Sequence, residues 1–209
     1  MIDATTALKR LKDGNQRFVN GLRSIDTMMS HTRRDKLTGG QEPFAIILGC
    51  SDSRVPAEIV FDQGLGDLFV IRVAGNIVAP SQIGSVEFAA SQFNTRLVVV
   101  LGHSSCGAVC ATVEEMKRPK SEQSKNIKSI VDRIRPSVEP FKVTELWNDE
   151  DALVEEAMRA NVRASANQLR HGSDILEDLS ENHELLIVGA EYSLETGEVI
   201  FFEGLPDKI

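Results

Sequence analysis

The sequence predicts an α/β protein with a mostly parallel central sheet of about four strands, an antiparallel edge strand, and helices on both faces. Apolar runs alternate with segments of helical spacing, which is the pattern of strands joined by crossover helices. Several runs are apolar without alternation, as expected for strands that are buried on both faces. The last two runs are joined by a short link, "SLETG", which is typical of a hairpin and predicts the antiparallel edge.

Each element follows from its local pattern. The predicted strands are residues 43–49, 67–75, 96–103, 184–192 and 197–204, and the predicted helices are residues 4–20, 84–93, 106–116 and 150–170. Gly14 is expected to break the first helix, and His171-Gly172 to end the last one. From residue 117 to about 145 the chain is polar, basic and interrupted by prolines. We interpret this segment as a solvated helix and loop face rather than an anion-binding patch.

Composition limits the function classes. A length of 209 residues with 42% hydrophobic content fits one domain with a real core. A net charge of −8 argues against nucleic acid or an anionic membrane as a partner. No apolar run approaches the ~18–20 residues that span a bilayer, and the amphipathic N-terminus has no signal-type apolar core. We therefore expect a soluble, cytoplasmic protein.

The cysteines gain meaning from the predicted sheet. Three cysteines do not form a disulfide framework, and in a reducing compartment metal binding or catalysis is the favoured use. Ligands of open α/β sheets bind beyond the carboxyl ends of the strands. Cys50 follows the first strand, while His103 and Cys106 follow the third. Two thiols and an imidazole at one point are good ligands for zinc, so the sequence predicts a metal site.

The fourth zinc position decides between a structural and a catalytic site. Cys110 lies one helical turn after Cys106, but a small thiol on an Ala/Val-rich helix is more often simply buried. The remaining histidines are expected to be surface or structural residues: His31, His171 and His183. A catalytic site leaves the fourth position for water or substrate.

The residues alone leave two other functions open. A closed site with four protein ligands would make the chain a non-catalytic zinc or thiol-sensing module. Alternatively, His103 would activate Cys50 as the nucleophile of a hydrolase.

Two short motifs carry a family resemblance. "CSDSR" (50–54), followed by "HSSCG" (103–107), resembles the β-class carbonic anhydrases. The segments "GNQRFVNG", "GDLFVIRVAGN" and "GSVEFA" are also similar to that family, so that the resemblance covers nearly the whole chain. It implies a single domain over residues 1–209, with a helical arm at 1–40 and an α/β core at 41–209.

The resemblance also implies an activity. One Zn²⁺ per chain would be held by Cys50, His103 and Cys106, and the reaction would be the reversible hydration of carbon dioxide to bicarbonate and a proton. Within the family, a related substrate such as carbon disulfide is an alternative. The partners implied are carbon dioxide or bicarbonate and other copies of the chain, in a homodimer or homotetramer with active sites at the dimer interface.

Asp52 and Arg54 are implied to form a hydrogen-bonded catalytic pair beside the metal. The carboxylate would accept a hydrogen bond from the attacking hydroxide, and the guanidinium would keep that carboxylate ionised and in place. In some members of the family, the aspartate instead leaves the arginine and closes the zinc site. The alternative is a surface ion pair of little consequence.

Five further positions match a substrate pocket. Gln41 lies where plant-like members have a glutamine that contacts bicarbonate, and Phe69 matches an apolar wall residue. Phe88 replaces a tyrosine that reaches in from the partner subunit, and Ala74 replaces a valine. Gly107 is expected to let the backbone approach the metal loop closely. Ordinary core packing is the alternative for Phe69, Ala74 and Phe88.

One departure concerns regulation. A subset of the family binds bicarbonate at a second site through a tryptophan, an arginine and a tyrosine. Arg72 and Tyr192 match the last two, but Ile47 stands where the tryptophan would be. The resemblance therefore disfavours a regulatory bicarbonate site and favours a permanently open form.

Overall fold

The fold is built on one five-stranded sheet. The computed structural model describes residues 2–22, 31–118 and 124–206. The strands are β1 (Ala45–Gly49), β2 (Leu68–Arg72), β3 (Leu97–His103), β4 (Leu186–Tyr192) and β5 (Val199–Glu203). Their order is β2-β1-β3-β4-β5, with the first four parallel and β5 antiparallel to β4. The predicted fold class, including the antiparallel edge, is confirmed.

Helices cover both faces of this sheet. They are α1 (Ala4–Val19), α2 (His31–Leu37), α3 (Ala57–Val60), α4 (Pro80–Gln92), α5 (Gly107–Lys117), α6 (Lys125–Val138), α7 (Glu150–His171) and α8 (Asp174–Glu181). Short 3₁₀ turns lie at Ala74–Asn76, Glu139–Val143 and Glu145–Asn148. The sequence did not predict α2, α3 or α8, which are too short to show a clear period. Within the described ranges, no helix has the length and apolarity needed to cross a bilayer.

Alternate residues of the central strands build two cores. Leu48 of β1 and Val100 of β3 point into the core formed with α4 to α8. Ile47 and Val99 point to the opposite face, where they pack with α1 and α3. All of β1 and β3 is buried, which explains why their sequences are apolar without alternation. Both strands are therefore fixed from two sides.

The first helix runs through Gly14 without a break, so the predicted interruption is wrong. A Cβ at Gly14 would lie 1.9 Å from the carbonyl oxygen of Phe61, and only glycine allows the helix to pack so closely there. The next residue fastens α1 to the hairpin: the Asn15 side chain donates to the Gly197 carbonyl and accepts from the Val199 amide, each at 2.9 Å. Tertiary packing overrides the poor helix propensity of glycine here.

The polar segment after residue 117 is only partly a solvated face. Its described part contains α6, which buries Val131, Ile134 and Val138 on one side. The opposite side is polar and exposed, as predicted. The division of the chain at residue 40 into an arm and a core remains a prediction.

Gly14→Ala is expected to destabilise the fold by about 1–3 kcal/mol, because the added methyl group must displace the chain at Phe61. Gln16→Ala, on the exposed side of the same helix, is the matched control and should change stability by less than about 0.5 kcal/mol. Urea denaturation monitored by circular dichroism measures both. Equal stability of the two variants would contradict the close contact.

Candidate active site

The carboxyl ends of β1 and β3 lie side by side, since Gly49 pairs with Leu101 in parallel register. Cys50 follows β1, His103 ends β3, and Cys106 is the residue that precedes α5. The ligand atoms of these three buried residues all lie within 4.8 Å of one another. The structure thus brings together the three predicted metal ligands.

The imidazole of His103 is oriented by the backbone. Its Nδ1 lies 2.9 Å from the carbonyl oxygen of Ser104, and a carbonyl can only accept. We therefore assign the proton to Nδ1, which leaves Nε2 as an acceptor facing the two thiols. Among the residues that the structure describes, that Nε2 has no hydrogen-bond partner although it is buried. This costs about 1–3 kcal/mol unless another group binds to the nitrogen.

The two thiols are also poised for a metal. Their sulfur atoms are 4.0 Å apart. A hydrogen bond from Cys106 lowers the pKa of the Cys50 thiol, while the same contact and burial raise the pKa of Cys106. The Gly75 amide donates a further hydrogen bond to the Cys50 sulfur at 3.3 Å. Two sulfurs and one imidazole nitrogen suit Zn²⁺ and not Mg²⁺ or Ca²⁺, so the residues present fit the expected metal.

The metal-ligating group has three members in the part of the chain that the structure describes. Cys110 is exposed and lies outside the group. His171 pairs with Glu177 on the surface, and His183 is exposed; the side chain of His31 lies outside the described residues. Three protein ligands are typical of a site with an open coordination position.

Asp52 and Arg54 form a two-pronged ion pair beside the cluster. Arg54 donates from Nε to Oδ1 at 2.9 Å and from Nη2 to Oδ2 at 2.7 Å, and its backbone amide also donates to Oδ1. These bonds hold the pKa of the Asp52 carboxyl well below its usual range. Oδ2 lies 3.9 Å from Nε2 of His103. The carboxylate therefore stands next to the metal-ligating group while the arginine holds it.

Arg72 supports the loop that carries these groups. Its guanidinium donates to the carbonyl oxygens of Cys50 at 3.1 Å and Asp52 at 2.6 Å. Ile47 is fully buried within β1, and Tyr192 is buried at the end of β4. From the sequence, Arg72 was related only to a regulatory anion site. Its hydrogen bonds to the loop could not be predicted, because every residue has a backbone carbonyl and the sequence does not show which one an arginine contacts.

Comparison with known proteins decides the family. The carbonic anhydrase family profile matches residues 45–199, which include every residue of the metal-ligating group and the Asp52–Arg54 pair. The chain belongs to the carbonic anhydrase family.

Two carbonic anhydrases from mycobacteria match this chain along most of its length. Carbonic anhydrase 2 of Mycobacterium tuberculosis is 39% identical over 196 residues, covering 93% of this chain and 90% of the relative. The carbonic anhydrase of Mycolicibacterium smegmatis is 40% identical over 193 residues, covering 92% and 90%.

Solved β-carbonic anhydrases share the fold. CcaA matches with a TM-score of 0.71 at 25% identity, covering 97% of this chain and 94% of its own. CafA of Aspergillus fumigatus matches with a TM-score of 0.72 at 23% identity, covering 98% and 92%.

Two of the five predicted pocket residues of this carbonic anhydrase family member lie next to the metal ligands. Ala74 precedes Gly75, whose amide reaches the Cys50 sulfur. Gly107 follows Cys106 directly, and a Cβ there would meet no described atom within 4 Å outside its chain neighbours and its own helix backbone. The close approach of the Gly107 backbone to the metal loop stays a prediction.

The other three pocket residues lie elsewhere in the protomer. Phe69 pairs with Ile46, about 13 Å along β1 from Cys50 at ~3.3 Å per residue. The rings of Phe69, Phe88 and Phe93 pack together at tilted or edge-on angles and form an aromatic group. Gln41 is exposed before β1, beside a cavity of about 560 Å³. The structure does not bring these residues to the metal ligands of the same chain.

Replacing one member of the group should abolish metal binding. Cys106→Ser is expected to reduce the zinc content from about one per chain to near zero, since a hydroxyl is a poor zinc ligand. Cys110→Ser, one helical turn away, is the control and should keep full zinc. Zinc is measured per chain by elemental analysis after dialysis. Loss of zinc in the control alone would show that the assigned ligands are wrong.

Proposed function

We propose that the protein is a carbonic anhydrase, a lyase that catalyses the reversible hydration of carbon dioxide to bicarbonate and a proton with one Zn²⁺ per chain. The observation that carries this proposal is the group of Cys50, His103 and Cys106 with the Asp52–Arg54 pair beside it. Membership of the carbonic anhydrase family supports the same reaction.

Cys50, His103 and Cys106 would hold the ion and leave one position for a reactant. Zinc in such a site lowers the pKa of a water molecule toward about 7, which supplies hydroxide near neutral pH. Cys50 and Cys106 bring two negative charges to the site. The activity should therefore rise at a more alkaline pH than it does with three neutral imidazole ligands.

Asp52 orients the nucleophile through its acceptor-only chemistry. The Asp52 carboxylate, held in place by Arg54, is ionised at neutral pH and accepts a hydrogen bond but donates none, so it selects an attacking group that carries an O–H. The pair is partly exposed, and such pairs contribute little to stability. Its value in this proposal lies in placing one oxygen of Asp52 next to the reacting groups.

The partner subunit completes the pocket in our proposal. Gln41, Phe69 and Phe88 lie away from their own chain's metal ligands, and Phe88 is 52% exposed within an aromatic group. Exposed aromatic side chains are enriched at protein interfaces. A homodimer or homotetramer, with active sites at the dimer interface, would place these residues at the neighbouring site. The Sordaria macrospora β-carbonic anhydrases, at 23% identity, are described as tetrameric.

We also propose a cytoplasmic location, with no nucleic-acid or membrane partner. The three cysteines are free, as in proteins of reducing compartments. The net charge of −8 disfavours binding to nucleic acid and anionic lipid.

The test of the reaction is stopped-flow carbon dioxide hydration from about pH 6.5 to about pH 9, with zinc quantified in the same sample. About one zinc per chain, with a rate that rises through one alkaline step, is expected. Stoichiometric zinc without acceleration at any pH would contradict the enzyme and favour a non-catalytic zinc module.

Arg54→Ala should lower the turnover number about 10²-fold, because the carboxylate loses its position. Removing the arginine raises the pKa of Asp52 toward its ordinary value of about 3.9, so the carboxylate stays ionised at neutral pH. The loss should therefore be similar at every pH from about 6.5 to about 9. Arg133→Ala is the control, because Arg133 is an exposed arginine of α6 that donates to Ser129. A loss confined to acidic pH would contradict the positional role.

Phe88→Asp is expected to dissociate the oligomer and to lower activity with it, since a charge in the aromatic group opposes burial. Val143→Asp is the control, because Val143 is 93% exposed and lies in a separate 3₁₀ turn. Sedimentation velocity and hydration rates are measured on both variants. A monomeric and fully active Phe88→Asp would overturn the shared active site.

A further inference from the structure

The thiolate ligand Cys50 is held by a backbone turn. The Gly75 amide, in the 3₁₀ turn Ala74–Asn76, donates to its sulfur at 3.3 Å. Gly75 has a φ of 70°, the left-handed region that glycine adopts without strain. A Cβ there would lie 2.7 Å from Cδ1 of Ile134 and 3.0 Å from Cβ of Ala108. The turn is therefore enclosed between the sulfur and two helices.

Two side chains of α7 fix the same turn from the other side. Asn161 donates from Nδ2 to the Gly75 carbonyl at 2.8 Å, and Ser165 donates from Oγ to the Asn76 carbonyl at 3.0 Å. The two side chains are four residues apart, on one face of the helix. They are 2% and 4% exposed, so water does not compete for these carbonyls. Two successive peptide groups of the turn are thus anchored.

We propose that Asn161 is a positioning residue for the metal ligand Cys50. Its hydrogen bond to Gly75 orients the turn so that the Gly75 amide donates to the sulfur, which fixes the direction in which the thiolate faces the metal. Hydrogen bonds to a ligand's donor atom orient the ligand and tune its binding. This role rests on the proposed zinc site, but the arrangement of Asn161, Gly75 and Cys50 is present in the chain itself.

Asn161→Leu removes the donor with little change in volume. Thr95→Val is the matched control. Thr95 is also buried, and its hydroxyl donates a hydrogen bond of 2.8 Å to the backbone carbonyl of Pro43. Both residues lie at the amino ends of the central strands, away from the metal ligands. Three readouts are compared: hydrogen exchange of the Gly75 amide, the rate of zinc release to a chelator, and the sulfur-to-metal absorption of the cobalt-substituted protein.

Asn161→Leu should release zinc about tenfold faster and shift the cobalt–thiolate absorption. The Gly75 amide should also lose its protection from hydrogen exchange. Thr95→Val should leave all three readouts unchanged. Zinc release within about twofold of the unmodified protein would overturn the positioning role even if Gly75 lost protection. Unchanged hydrogen exchange of the Gly75 amide would also overturn the positioning role, because it would show that Asn161 does not hold the turn.

The amide exchange separates this proposal from the proposed function. It is measured on the metal-free protein, so it tests the anchoring of Gly75 even if the chain binds no zinc or hydrates no carbon dioxide. If Asn161→Leu does not fold, Asn161→Ala, which removes the same donor, carries the same test. It should increase exchange at Gly75 and accelerate zinc release, and no change in either would contradict the proposal.

Discussion

Parallel pairing of β1 with β3 places Cys50 and His103 together at the carboxyl ends of these central strands, and the rest of the site depends on that pairing. Both strands are buried on both faces, so a shift of one residue would turn core side chains toward the wrong layer. The two cores thereby fix the register, and the register fixes the distance between the sulfur and the imidazole. Cys106 joins them because the loop after β3 is short.

Charge balance is the second constraint on the site. Two thiolates and the Asp52 carboxylate would bring three negative charges to one site, facing the cations of Arg54 and Arg72. Without a metal, the raised pKa of Cys106 keeps a proton on one sulfur, which reduces this repulsion. A divalent cation supplies the missing positive charge and replaces that proton. Metal binding is therefore expected to release protons and to become weaker at low pH.

The sequence was sufficient for the sheet and for the metal ligands, since both leave local signals. Unbroken apolar runs mark buried strands, and thiols at strand ends mark a site. The bracing by Arg72 and the amide of Gly75 left none, because their partners are backbone or sulfur atoms far along the chain. Gly14 was misread because helix propensity does not include the contact with Phe61.

The most direct measurement of the central claim is the zinc K-edge X-ray absorption spectrum of the purified protein. The account predicts two sulfur ligands at about 2.3 Å and one nitrogen at about 2.0–2.1 Å, with one further light ligand in the open position. Adding Cys110→Ser should leave that spectrum unchanged. A shell of three sulfurs that loses one sulfur in Cys110→Ser would show a closed site and contradict the account.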